Sequence, residues 1–402
     1  MEISAARNDF PTIRGKKGVY LDSACQSLRP DQVIRSILDY YEEFPSCGGR
    51  SVYRMSSKVS MVIDEARETA ARFFGTDDPD CYIFTKNCTE GINTVARGIG
   101  LREGDAVVTT DTEHNSNHVP WVILAEEAGV RRRYSPSKND GEFDIERFKE
   151  SMSKDVKLVS VYHASNVTGC VVPIKEAAEI AHDRGAKILI DGSQAAPHMK
   201  VDLKKTDVDF YALSVHKMLG PSGMGILYGK RECLEDLKPL TTGGGAVGVA
   251  TYGCASFAPI PDKFEAGLQN YAGIAGTKAA LDYLTFIGMD KIYEHDRHLM
   301  EMIFKLTEEI KGLSVVGPDD PGRRCGVFSF NIDGLSPHDV AMMLDKMDSI
   351  MIRSGMHCAH PFFGSRGIEG SARASVYLYN NEEDIERFAA ALNKAAETFC
   401  GK

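Results

Sequence analysis

Apolar residues recur along this chain in two spacings. Short runs rich in β-branched and aromatic residues stand at 81–85, 105–110, 158–163, 187–190, 209–213 and 226–228. Between several of them helices are expected, at 58–74, with a broken apolar face and several charges, and at 173–184 as a crossover. Gly75 follows the first of these as a helix stop. Buried strands alternating with helices predict an α/β fold with a mainly parallel central sheet. An earlier short strand within 20–25 runs into a polar loop, and a helix then starts at Pro30-Asp31, with apolar positions Val33, Ile34, Ile37 and Leu38. In the last third the pattern changes. A strand at 326–330 and helices at 295–310 and 336–346 predict a second, smaller α/β domain. The expected division is a large domain over 15–283 and a small one over 284–402, joined by an N-terminal arm, 1–14.

Composition narrows the class. A chain of 402 residues, 43% of them hydrophobic, can bury one large core and a smaller one. Its net charge of -10 and the lack of a basic tail argue against nucleic acid as a partner. Residues 1–10 lack the basic start and apolar core of a signal peptide, and no apolar run is long enough to span a membrane. A cytoplasmic protein is expected. The ten cysteines are scattered without a Cys-x-x-Cys pair. That spacing supports neither a zinc or iron–sulfur site nor a disulfide scaffold. Most of them read as small buried hydrophobes, with one or more reactive.

The chemistry concentrates at 186–229. One strand ends in Asp191, followed by Gly192-Ser193-Gln194; the next ends in Ser214-Val215-His216-Lys217. In parallel α/β folds, ligands sit beyond the carboxyl ends of the strands. An acid for a pyridine nitrogen and a lysine amine for an aldehyde carbon would then face one cavity, with Ser214 and His216 placed to hold a phosphate. A plain surface lysine after a buried strand is the alternative.

The runs 191–198 and 209–218 resemble the core of the class V aminotransferases, closest to the second group of cysteine desulfurases and the selenocysteine lyases. The resemblance extends over nearly the whole chain. It implies the fold type I architecture, pyridoxal 5′-phosphate as cofactor, and a homodimer. Lys217 would carry the cofactor, Asp191 would face its ring nitrogen, and Gln194 its phenolic oxygen. His114, in Glu113-His114-Asn115, would stack on the ring. Cys88 and Thr89 begin a helix after the strand at 81–85 and would cradle the phosphate, where the family has two threonines; Thr89 could instead be only a helix cap. Asn166, in Ser165-Asn166-Val167-Thr168-Gly169, would contact the substrate carboxylate or the cofactor, or else only shape the turn.

Cys358, in Gly355-Met356-His357-Cys358, falls on the position of the compact cysteine loop and would be the nucleophile. Arg353, His357 and a neighbouring imidazole would favour its thiolate. Arg373 would grip the substrate α-carboxylate, with Arg353 as a second basic group; a structural ion pair is the other reading of either arginine. No metal is expected. L-cysteine would give L-alanine, with its sulfur held on Cys358 as a persulfide and passed to a sulfur-acceptor protein, for sulfur mobilisation or iron–sulfur cluster assembly. A selenocysteine lyase and a degenerate sulfur-carrier scaffold are the alternatives. The chain departs from the family at Gly49, in place of a histidine, at Cys88, and at Leu268, in place of a threonine. Cys25 stands where alanine is usual. It is either a thiol near the pocket or an inert buried one, and sulfur shuttling through Cys25 or Cys47 stays open.

Overall fold

The computed structural model describes residues 3–16, 18–49 and 51–400. Met1 and Glu2 of the expected arm, Arg50 of the entrance stretch and the side chain of Cys400 lie outside that description.

A seven-stranded sheet forms the centre. Its order is Tyr82–Thr85, Gly225–Gly229, Phe210–Ser214, Lys187–Asp191, Val156–Tyr162, Ala106–Thr110 and Arg131–Ser135. Gly225–Gly229 runs antiparallel to both neighbours, and the other pairings are parallel. The inner strands are buried along nearly their whole length, as a sheet covered on both faces requires. Arg131–Ser135 is the partly exposed edge, and its three arginines suit an unpaired margin. The parallel strands end on the same side. Asp191, Ser214 and the start of the Cys88–Gly98 helix therefore converge.

A four-stranded antiparallel sheet follows in the order Leu313–Val316, Val327–Ile332, Ser371–Ser375 and Arg353–Gly355. Helices Met289–Thr307, Pro337–Asp348 and Glu382–Cys400 accompany it. The buried apolar residues divide accordingly. One cluster surrounds the large sheet and includes Phe10 and Ile13, while another gathers Leu299, Phe328, Phe330, Leu344 and Leu392. Val19 and Leu21 belong to the second cluster, because Val19–Tyr20 pairs in parallel with Ile350–Met351. The N-terminal segment thus touches both cores. The helix expected from residue 295 begins at Met289, since Gly288, at φ 96°, turns directly out of Tyr271–Ile287 with no intervening loop. Among the described residues no helix is long and apolar enough to cross a membrane.

Candidate active site

One cavity of about 260 Å³ opens where the strand ends meet the small sheet. All the residues singled out from the sequence as cofactor or substrate ligands line it. From the large sheet come Asp191, Gln194, Ser214, His216 and Lys217; from the loops beside it, Cys88, Thr89, His114 and Asn166; from the small sheet, Arg353, Cys358 and Arg373.

The floor is built on Asp191. Its carboxylate accepts the Ser193 N–H at 3.0 Å and the Cys88 thiol at 3.2 Å. Burial first, and then the Asp191 charge, push the Cys88 thiol well above its ordinary range. It therefore stays an S–H donor. The Cys88 side chain thus turns to the acid, while its backbone N–H is held by Ser214 Oγ at 3.0 Å. A Cβ on Gly192 would run into the Tyr211 ring, so only glycine permits the close turn after Asp191. Thr89 Oγ1 pairs with Ser116 Oγ at 2.7 Å, and both line the cavity at the helix start.

Burial lowers the pKa of Lys217; Arg373 adds to the shift and the Asp191 charge opposes it. A lowered amine pKa suits attack on an aldehyde and proton transfer. His114 is depressed to about 4, first by burial and then by Lys217, and its Nδ1 accepts the Ser116 N–H at 3.1 Å. It is a neutral ring with its proton on Nε2. Burial also depresses His216, to about 4, so it would meet a phosphate as a neutral N–H donor. Beneath His114, Glu113 is buried and receives Thr110 Oγ1 at 2.7 Å and Asn117 Nδ2 at 2.7 Å.

The rim has a different build. Cys358 is exposed, and both it and His357 occupy the left-handed region, at φ 56° and 49°. Such backbone is costly for non-glycine residues and persists only when the surroundings enforce it. The enforcing contacts are visible. Asn166 Nδ2 donates to the His357 carbonyl at 2.7 Å, and the Asn115 N–H donates to the Cys358 carbonyl at 2.6 Å. His357 Nε2 meets Ser371 Oγ at 2.9 Å.

One expectation changes here. His357 is buried and depressed to about 2, so it is neutral and lends Cys358 no positive charge. Arg353 directs a guanidinium N–H to the sulfur of Cys25, at 2.9 Å. The carboxylate of Asp22, which the sequence reading left without a role, lies 3.3 Å from Arg373 and 3.6 Å from Arg353. Its position just after a strand and before Ser23-Ala24-Cys25 was the available signal. Asn115 and Ser116 were missed too, although they directly follow His114.

Residues outside the cavity are equally informative. Leu268 is exposed and lines a separate hollow with Thr241 and Asn270. His118 packs its ring on Tyr134 at 6.1 Å on the outer face. Among the described residues no group of histidine, cysteine and acidic side chains could hold a metal.

The profile described as Aminotransferase class-V matches residues 19–388. A probable cysteine desulfurase of Halalkalibacterium halodurans is 40% identical over 390 residues, 96% of this chain and 95% of that protein. A cysteine desulfurase of Haloferax volcanii is 37% identical over 421 residues, 99% of this chain and 98% of that protein. The solved cysteine desulfurase of Thermococcus onnurineus NA1 matches with a TM-score of 0.94 at 34% identity, covering 98% of each chain. The chain belongs to the class-V aminotransferase family. Its mostly parallel central sheet with a smaller α/β unit is the fold type I architecture.

The cavity fits pyridoxal phosphate on its own chemistry. A half-buried amine of lowered pKa and a buried carboxylate share the floor. Ser193 Oγ and Gln194 Oε1 are buried there without a hydrogen-bond partner, as is Arg373 Nε. Unsatisfied polar atoms at a cavity are what a polar ligand would complete.

Proposed function

We propose that the chain is a pyridoxal-phosphate-dependent cysteine desulfurase that converts L-cysteine to L-alanine and retains the sulfur on Cys358. The observation that carries this reading is the meeting of Lys217 and Asp191 with Cys358 and Arg373 around one cavity. The full-length relatives named as cysteine desulfurases support it.

Bound there, the cofactor supplies an electron-withdrawing ring that labilises bonds at the substrate's α- and β-carbons. Asp191 would hold the ring-nitrogen proton, and its contacts with Ser193 and Cys88 keep it aimed. Arg373 would bind the substrate carboxylate through its unpartnered Nε; its other nitrogens already reach Asp22 and the Asn166 carbonyl. Lys217 removes the proton at Cα and returns one. The neutral His114 ring covers the site and can relay a proton through Nε2. The Cys358 sulfur attacks the substrate sulfur, the carbon–sulfur bond breaks, and the thiol becomes a persulfide. One L-cysteine and one thiol thus yield one L-alanine and one persulfide.

Two further expectations rest on surfaces. The exposed Cys358 suits delivery to a sulfur-acceptor protein. The exposed apolar residues Ile34, Leu38 and Tyr41 on helix Asp31–Glu43, together with Leu268, suit burial against a second copy. Sedimentation of the purified chain at micromolar concentration would test the dimer; a monomer at every concentration would reject it. Anaerobic incubation with L-cysteine and a thiol should yield alanine and sulfide in equal amounts. Pyruvate and ammonia in place of alanine would reject the desulfurase reading.

A further inference from the structure

Three cysteines line this cavity, and one of them, Cys88, is committed to Asp191 as an S–H donor. Besides Cys358, the half-buried Cys25 lines the cavity, on a turn where its N–H reaches the Asp22 carbonyl at 3.1 Å. The turn is clipped to the small sheet, because Asp22 bridges Ser375 and the Ala24 N–H donates to Ser375 Oγ at 2.9 Å. Cys358 follows the strand Arg353–Gly355, which pairs with the same strand, Ser371–Ser375, with Arg353 opposite Arg373. The two sulfur-bearing segments therefore lie along the same edge of one strand, and Arg353 stands there with an N–H on Cys25 Sγ at 2.9 Å.

The cavity also holds unsatisfied polar atoms. Arg373 Nε and His357 Nδ1 line the cavity, each on a side chain more than nine-tenths buried and each without a hydrogen-bond partner. Sulfur transfer between thiols runs through anionic sulfur, and a guanidinium at contact distance accommodates that charge. Nothing in the desulfurase reaction itself requires a second thiol.

We propose that Cys25 is a second sulfur-carrying residue, which takes the outer sulfur of the Cys358 persulfide within the cavity. The proposal rests on the desulfurase reading above. Cys25, as thiolate, attacks the outer sulfur. A new sulfur–sulfur bond forms at Cys25 as the one at Cys358 breaks, and the electron pair leaves with the Cys358 sulfur. That sulfur takes up the proton Cys25 gave away, so no oxidant or reductant is consumed. Cys358 is then free for another substrate while the first sulfur waits beside Arg353.

The test uses the holoenzyme, anaerobic and free of reductant, quenched with an alkylating agent during the first turnovers on L-cysteine. The wild type should form a burst of about two alanines per chain, and Cys25→Ser and Cys25→Ala about one. Peptide masses of the wild type should show one added sulfur on the Cys25 peptide and one on the Cys358 peptide. Cys358→Ser should show none on Cys25. Alanine formed with sulfur on Cys358 alone would overturn the proposal and leave the desulfurase reading standing. Sulfur on Cys25 in Cys358→Ser would overturn the relay order. No alanine at all would remove the desulfurase reading and the relay with it.

Discussion

At the floor of the cavity, Asp191 ends a buried strand and its contacts come from Ser193 and Cys88, both buried. At the rim, Cys358 is exposed, and with His357 it holds a left-handed backbone of the kind that costs about 1–3 kcal/mol per residue. The floor is fixed by sheet hydrogen bonds that exist for the fold. The rim is fixed by side chains reaching across, chiefly Asn166 and Ser371, with the Asn115 backbone N–H. Orientation of a ring suits the first construction. A sulfur that must attack, carry cargo and release it suits the second, where few contacts set the position.

That contrast can be broken at each half. Lys217→Ala, on the floor, should have the largest effect: alanine formation should fall by roughly a thousandfold or more, and the visible absorbance of the lysine-bound cofactor should vanish. Cys358→Ser should lower alanine formation by roughly a hundredfold or more while that absorbance stays. Asn166→Ala removes one hydrogen bond to the strained loop, worth about 1 kcal/mol, so kcat should fall by roughly five- to tenfold with cofactor retention unchanged. Loss of cofactor in that variant would place Asn166 with the floor instead.

Acid separates the halves less sharply. Burial depresses His163 and His114 to about 4, against an ordinary value of 6.5. The unfolded chain therefore takes up protons first as pH falls. Stability contributed by the neutral rings is full above about pH 6.5 and is lost toward pH 4. Tm should drop by a few degrees between pH 7 and pH 5, and by less in His163→Gln, which loses the ring bonded to Tyr211. A Tm that holds steady or rises on acidification would contradict the burial of these rings. The smallest effect belongs to Cys88→Ala. It removes a weak S–H donor to Asp191 and should change cofactor affinity by only about two- to threefold.

The floor was legible in the sequence because each of its residues directly follows a buried strand, and strand ends in a parallel sheet share an edge. The rim was legible only in part. Cys358 and Arg373 stood out by resemblance, but the neutrality of His357 depends on burial and on the charge of Arg373, which a neighbouring strand supplies. The pairing of Asp22 with both arginines needs the Arg353–Arg373 register and the Asp22–Ser375 bridge, the latter a contact between segments hundreds of residues apart. The same holds for Val19 and Leu21. They read as the start of the large domain and instead join the small core through Ile350–Met351. At Cys88, the resemblance implied a lost hydroxyl; only the structure directs that side chain to Asp191.

The most direct test is quantification of alanine from L-cysteine by the holoenzyme and its Cys358→Ser variant under identical anaerobic conditions, with the visible spectrum recorded on the same samples. The account predicts matching spectra and alanine from the wild type alone. Equal alanine from both proteins would show that the sulfur leaves without Cys358 and would contradict it.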